Sequence, residues 1–437
     1  MRIVSIRIEN YKNIGPTSID LNGIVALLSV NNYGKSNLLE AIQFGMDFIN
    51  ASTKKRVAMM KLKRDVPLNP ALAGKPFSFR VEIDAPELED YRHIRYGYTF
   101  EWINDAGTGA RIVDETLEMR SEESAKYTAY LKRSEGKYRS SRSTRSFRSL
   151  ALSDTSLALD FLIGVEKLDI APVIHTLRNM KYNICDDLQL DYAFHPFPIE
   201  FDFEKTPDRL IDDSDLPRAL FNLKQQFPED YELFLDAVYE LFPDFQNVEI
   251  QALSVEPPEG MSIVAKSGAQ VTPEEVPYHI REEIYKLFIQ TTTLNQPISI
   301  EYMSTGTKRI LWLLANAVFC KCYGYNLLCV DEIETSIHPR MIRQLLTIIN
   351  ELLSDATVLL TSHSPLLSQY LKPQAMYIGL PSDTGVATFK KINPRKINLL
   401  VKTARTMNLS VGEYLFELMS GDEDSYTILA TFLEADA

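Results

Sequence analysis

Cysteine is scarce in this chain, with four among 437 residues. That count excludes a disulfide framework of the kind that staples small secreted domains. Cys320 and Cys322 lie two apart inside an apolar run, so on a helix they point to different faces and read as core residues. Six histidines are scattered along the chain, and no Cys/His group has zinc spacing. No stretch offers 18 or more uninterrupted apolar residues, and the start, "MRIVSIRIEN", alternates like a strand rather than opening a signal peptide. A soluble, cytosolic protein without a membrane segment is expected. Positive charge is also short: 46 Lys and Arg against 59 Asp and Glu leave a net charge of −13. Any nucleic-acid binding would therefore need a local basic patch. Sustained heptads are missing, which excludes long coiled coils, and no repeat of solenoid length is present.

What remains is ordinary globular material, 45% hydrophobic and 24% charged, long enough for two or three domains. Residues 1–10 alternate as a half-buried strand does, followed by "SIDL" (18–21) and the continuous apolar run "IVALLSV" (24–30), a strand covered on both faces. "KSNLLEAIQFGMDFI" (35–49) has helical spacing. "PFSFRVEIDA" (76–85), "RYGYTFEWI" (95–103) and "RIVDETLEMR" (111–120) read as an antiparallel layer. The middle third reads as a mostly helical insertion, with helices at 157–168, 216–227 and 231–242 and strands at 247–256 and 261–267. From 298 the buried alternation returns: helix 307–324, strand 326–332, helix 339–353, strand 356–362, helix 365–371. This alternation implies a parallel sheet. Domain boundaries are accordingly expected at 1–120, 121–297 and 298–437.

Four short stretches carry chemistry. "SVNNYGKSN" (29–37) joins a buried strand to a helix, where backbone N–H groups can cradle phosphate. Lys35 can reach the terminal phosphates, and Ser36 can ligate Mg²⁺. Gly34 lets the backbone approach. Asn32 stands where a glycine is common, and asparagine is the non-glycine residue that best tolerates the left-handed conformation. Ser29 replaces the first glycine of the usual pattern. "LLCVDE" ends in Asp331 and Glu332 at the carboxyl edge of a strand, where α/β sheets bind ligands. Such an aspartate can hold Mg²⁺, and the glutamate can polarise a water. "MSTGTKR" (303–309) places Ser304 as a helix cap and Gly306 where the first N–H groups stay open. "LLTSHSP" (359–365) places His363 just past a strand, able to donate to a γ-phosphate. Taken singly, each has a plain structural explanation as a cap, a solvated acid pair or a loop histidine. Their order along the chain is what gives them weight.

In that order the motifs resemble the ABC-type ATPase heads of the SMC, RecF and OLD (overcoming lysogenization defect) group, an AAA family of P-loop NTPases. "NNYGKSNLLEAI", "MSTGTKRILWLL", "LLCVDEIETSIHP" and "LLTSHSP" carry the resemblance over the first 50 residues and residues 298–372. It implies ATP and Mg²⁺ as cofactors. Asn31, Asn32, Gly34, Lys35, Ser36 and Asn37 are then nucleotide contacts, Ser36 and Asp331 the metal ligands, and Glu332 the catalytic base. His363 becomes the switch histidine, and Ser304 with Gly306 the signature that meets the nucleotide of a second protomer. It also implies a head-to-tail homodimer or higher oligomer, with "ETSIHP" (334–339) as the dimer-contacting loop and His338 where transporters keep an aspartate. Two departures, Ser29 with Asn32 and the absence of glutamine between Gln43 and Gln189, lead us to expect slow hydrolysis or a mainly structural nucleotide.

About 65 residues follow the last motif, too few for the nuclease domain of OLD enzymes. The chain therefore resembles the stand-alone ATPases of anti-phage systems such as PARIS or Septu, in which a separate effector, a nuclease or toxin, does the damage. The alternatives are a RecF-like repair ATPase that binds DNA directly and a nucleotide-binding structural protein without turnover. The stretch 131–149 bears on this choice. Lys132, Arg133, Lys137, Arg139, Arg142, Arg145 and Arg148 accompany one acid, Glu135, with Tyr138 and Phe147 interleaved. This pattern suits nucleic-acid phosphates, an acidic partner protein or a merely solvated loop.

Overall fold

The computed structural model describes residues 1–437 except 62–65, 104–108, 144, 166–167, 187–189, 191, 196–198, 202–214, 256–262, 265–269, 272–277, 281, 354–355, 381 and 436–437. The chain forms two compact units. Residues 1–184, 325–333 and 355–437 make the first, and residues 185–324 and 334–354 make the second. This division differs from boundaries at 120/121 and 297/298: residues 121–184 join the first unit and the helix from 305 joins the second. The reason is pairing. Thr128–Lys132, Lys137–Tyr138 and Arg148–Ser149 extend the antiparallel sheet begun by the N-terminal strands.

The first unit holds two sheets. One is antiparallel, in the order Thr17–Asp20, Arg2–Glu9, Phe77–Asp84, His93–Glu101, Arg111–Arg120 and then the three strands just named. Its strands alternate buried with partly buried or exposed residues, as the sequence pattern requires of a sheet with one covered face. The other sheet has a parallel centre. Leu327–Val330, Thr357–Ser362, Ile24–Leu28 and Met376–Gly379 lie side by side. The three strands Leu327–Val330, Thr357–Ser362 and Met376–Gly379 are buried at every position, which is why their sequences are mostly apolar rather than alternating, the buried Thr357, Thr361 and Ser362 excepted.

Register decides what this sheet presents. Leu28 is opposite Ser362 and Ile378, and Val330 is opposite Leu360. The carboxyl ends of these strands therefore line up, so that residue 29, residues 331–332 and residue 363 leave the sheet along one edge. Helix Lys35–Asn50 starts from that edge. It is held along its length by a stacked aromatic cluster in which Phe48 meets Tyr98 at 4.7 Å and Phe100 at 5.0 Å. Its far end is closed by Arg56, a fully buried guanidinium that donates to the carbonyls of Phe48 and Ile49 and pairs with Asp160.

The second unit packs helices Leu216–Gln226, Pro228–Leu241, Thr305–Cys322 and Pro339–Leu352, together with an antiparallel sheet of Phe245–Ser254, Glu283–Thr291 and Ile298–Ser299. Of the strand expected at 261–267, Ile263–Val264 is the described part.

Two local expectations need correction. The helix at 365–371 is a single 3₁₀ turn, Leu367–Gln369. Serine side chains compete for the backbone there: Ser362 Oγ accepts from Ser364 N–H at 2.9 Å and Ser364 Oγ accepts from Leu366 N–H at 3.2 Å. The helix at 157–168 is confined to Ala158–Leu162, with Gly164 just beyond its end.

Candidate functional site

The loop after strand Ile24–Leu28 turns by two left-handed residues, Asn32 at φ 58° and Gly34 at φ 123°. Asparagine carries the first without a glycine. At Gly34 a side chain would add strain and meet Asn13 Oδ1 at 2.9 Å. The helix that follows begins at Lys35 with no side-chain cap and no acid in its first turn. Its first N–H groups thus remain available to an anion.

Lys35 is almost wholly buried, and its Nζ donates to the Ser29 and Val30 carbonyls, each at 3.2 Å. The ammonium is thus stored against its own loop, with an incoming phosphate as a stronger competitor. Ser36 Oγ donates to Asp331 Oδ2 at 2.7 Å across 295 residues of chain. Glu332, in the left-handed region at φ 47°, meets His363 Nδ1 with its Oε1 at 3.1 Å. Residues 31–37 together with Glu332 and His363 line one open cleft of about 560 Å³. Asn31, Asn32, Gly34, Lys35, Ser36, Asn37, Asp331, Glu332 and His363 therefore converge within the first unit.

Several residues here had no assigned role in the sequence. Thr361, fully buried at the end of its strand, donates to Asp331 Oδ1 and accepts from Glu332 N–H at 2.9 Å. Asn13 donates to the Tyr33 carbonyl at 3.0 Å and accepts from Asn37 Nδ2 at 2.8 Å, so it braces the loop from outside. Tyr33 is itself pinned: its hydroxyl donates to Thr388 O at 3.3 Å and accepts from Thr388 N–H at 3.2 Å. Gly379 makes room for Ser29 and Tyr33, since a Cβ there would lie 2.7 Å from Ser29 Cβ and 2.5 Å from the Tyr33 ring. Only Thr361 had a local signal, a hydroxyl at a strand end beside the expected histidine.

The donor set fits Mg²⁺. A hydroxyl and a carboxylate oxygen, 2.7 Å apart at the mouth of a phosphate loop, are hard ligands of the type that ion takes alongside phosphate and water. Among the described residues no group of three or more His, Cys, Asp or Glu forms a metal cage of its own.

Ser304 and Gly306 lie in the second unit. Ser304 is exposed and caps helix Thr305–Cys322, its Oγ accepting from Thr307 N–H at 3.1 Å. Gly306 is needed for close approach: a Cβ would stand 2.3 Å from the Ser336 carbonyl. His338 is exposed and caps helix Pro339–Leu352 through Nδ1. No glutamine occurs between Gln43 and Gln189, so the glutamine loop has no candidate residue there.

The basic stretch 131–149 is largely occupied internally. Lys132 and Lys137 share Glu135, Arg142 pairs with Asp90, and Arg139 stacks on Phe147 at 4.5 Å. Arg133 lies 3.6 Å from the buried Glu115 and donates to the Ser153 and Ser156 carbonyls. Arg145 and Arg148 are exposed. Among the described residues no helix is long and apolar enough to cross a membrane.

A family model described as "AAA domain, putative AbiEii toxin, Type IV TA system" matches residues 30–368. No curated protein matches the chain. Among solved structures, the SmcHead bound to the C-winged helix domain of ScpA aligns with 91% of this chain and 100% of its own, at 14% identity and a TM-score of 0.53. The Smc head domain with an extended coiled coil bound to the C-terminal domain of ScpA, derived from Pyrococcus furiosus, aligns with 92% of this chain and 99% of its own, at 11% identity and 0.49. The SMC head domain from Thermotoga maritima covers 90% of this chain and 100% of its own, at 9% identity and 0.43. The fold is α/β, of the P-loop type seen in SMC heads, with an antiparallel layer.

Proposed function

The chain belongs to the family of AAA domains described as putative AbiEii toxins of type IV TA systems, and we propose that it binds ATP with Mg²⁺ and hydrolyses it slowly. The observation that carries this reading is the Ser36–Asp331 hydrogen bond at 2.7 Å, with Glu332 and His363 lining the same cleft as the loop. Lys35 leaves the loop carbonyls to take the β and γ phosphates, and the open helix N-terminus holds the remaining oxygens. Ser36 and Asp331 hold Mg²⁺, which when bound neutralises charge on the phosphate oxygens. Glu332 takes a proton from the attacking water, and His363, already beside its carboxylate, donates to the γ-phosphate.

Ser304 and Gly306 complete the site of a second copy, giving a head-to-tail dimer on ATP. The ATPase then acts as sensor and scaffold for a separate effector in anti-phage defence. The family's description as a toxin of a toxin–antitoxin system agrees with a defence setting. Direct loading on DNA has less support, because five of the seven cations in 131–149 are engaged inside the chain.

ATP binding, turnover and particle mass of the wild type, Lys35→Ala and Glu332→Gln test the reading together. Lys35→Ala should lose ATP affinity. Glu332→Gln should keep it, lose turnover by about 100-fold or more, and double in mass with ATP. Equal ATP affinity in the two variants would refute the assignment.

A further inference from the structure

We infer that Thr361 is a positioning residue whose single hydroxyl orients both acids of the site, Asp331 and Glu332. This rests on the proposed roles of those two acids, but its first test does not require nucleotide. Thr361 Oγ1 accepts from the Glu332 N–H at 2.9 Å. An ionised carboxylate can only accept, so the one hydroxyl proton goes to Asp331 Oδ1. Ser36 Oγ donates to the other oxygen, Oδ2. The Asp331 carboxylate is thus held at both oxygens, with its plane set by two hydroxyls on different elements.

The second half of the bond concerns Glu332. Its backbone sits at φ 47°, a conformation that non-glycine residues adopt at a cost. A hydrogen bond from its own N–H to a buried hydroxyl helps offset that cost. The left-handed turn in turn sends the side chain to His363, at 3.1 Å, instead of along the strand direction. Thr361 is buried, and its neighbour Leu360 is in register with Val330. The hydroxyl therefore stands on a strand and not on a loop, so it can fix the side chains it holds.

Three variants separate this role from simple packing. Thr361→Val keeps the shape and removes the hydroxyl, Thr361→Ala removes it should valine not fold, and Thr361→Ser restores it. In nucleotide-free protein, hydrogen exchange at the Glu332 amide should quicken about tenfold in Thr361→Val and stay near wild type in Thr361→Ser. In ATP hydrolysis the Mg²⁺ concentration for half-maximal rate should rise about 10- to 100-fold in Thr361→Val, with Thr361→Ser within about twofold of wild type. Unchanged amide exchange in Thr361→Val overturns the inference. So does an unchanged Mg²⁺ dependence, or a Thr361→Ser as impaired as Thr361→Val. A wild type that turns over no ATP while showing the exchange signature would remove the ATPase reading and leave the positioning role standing.

Discussion

Gly379→Ala should displace the phosphate loop. Gly379 ends a strand whose preceding residue, Ile378, is opposite Leu28, so it lies beside Ser29. A Cβ at this point would fall 2.5 Å from Tyr33 Cε1 and 2.7 Å from Ser29 Cβ. Carbon atoms in contact prefer about 3.5–4.0 Å, so something must move by roughly 1 Å. Neither neighbour yields easily. Ser29 is fully buried at the end of the central strand. The Tyr33 hydroxyl is held by both backbone groups of Thr388, and its ring packs edge-on against Phe389 at 5.6 Å. Overpacking of this kind costs about 1–3 kcal/mol, and a 1 Å misplacement of a binding loop can cost on the order of 100-fold in function. Urea unfolding and ATP titration of Gly379→Ala should therefore both fall short of wild type. Ser29→Gly, which removes one obstructing atom, should cost less stability in the Gly379→Ala background than in the wild type. A Gly379→Ala protein with wild-type midpoint and affinity would refute the steric account. It would also remove the explanation of how the chain tolerates serine in place of the loop's first glycine.

Arg56→Met should destabilise by about 2 kcal/mol or more in urea unfolding, because it leaves two buried carbonyls without their donor and Asp160 with Arg178 as its remaining guanidinium; a loss under about 1 kcal/mol would refute this. Glu115 is fully buried, and burial pushes its carboxyl above the ordinary 4.5 despite hydrogen bonds from Ala158 N–H and Tyr96 OH and the charge of Arg133. A raised value means that the folded chain holds the proton more tightly. The stability linked to this group is then full below pH 4.5 and lost as pH rises through the raised value. Since glutamine does not titrate, the stability of wild type relative to Glu115→Gln should fall across that window, and a flat difference in urea midpoints would contradict it. The Cys322 thiol, desolvated and bonded to Asp230, is pushed up to about 12. At pH 8 it should alkylate about a thousandfold more slowly than a free thiol, and rapid labelling followed by mass spectrometry would show that the burial is wrong.

The strand–loop–helix around Lys35 was legible because each part is local. A buried β-rich run, a left-handed asparagine and a helix with its polar start all depend on neighbours a few residues away. Asp331, Glu332 and His363 were legible for the same reason, as polar residues ending apolar runs. The serines at 362 and 364 were also visible, yet the helix expected at 365–371 fails because their side chains take the backbone N–H groups a helix would start from. In the basic run 131–149, composition shows the charges and the neighbours Glu135 and Phe147 that meet Lys132, Lys137 and Arg139, whereas Asp90 and Glu115, which meet Arg142 and Arg133, come from other parts of the chain.

Periodicity alone determined an α/β architecture with a parallel sheet, residues 29–37 between a buried strand and a helix, and Asp331 and Glu332 at a strand end; the P-loop reading came from the motifs and the resemblance they carry. Tertiary structure decided which groups meet: Ser36 with Asp331 across 295 residues, Thr361 with both acids, and Gly379 with Ser29. Periodicity reports whether a residue faces the core. The register between strands distant in the chain decides which side chain it finds there, and that register is a property of the assembled sheet.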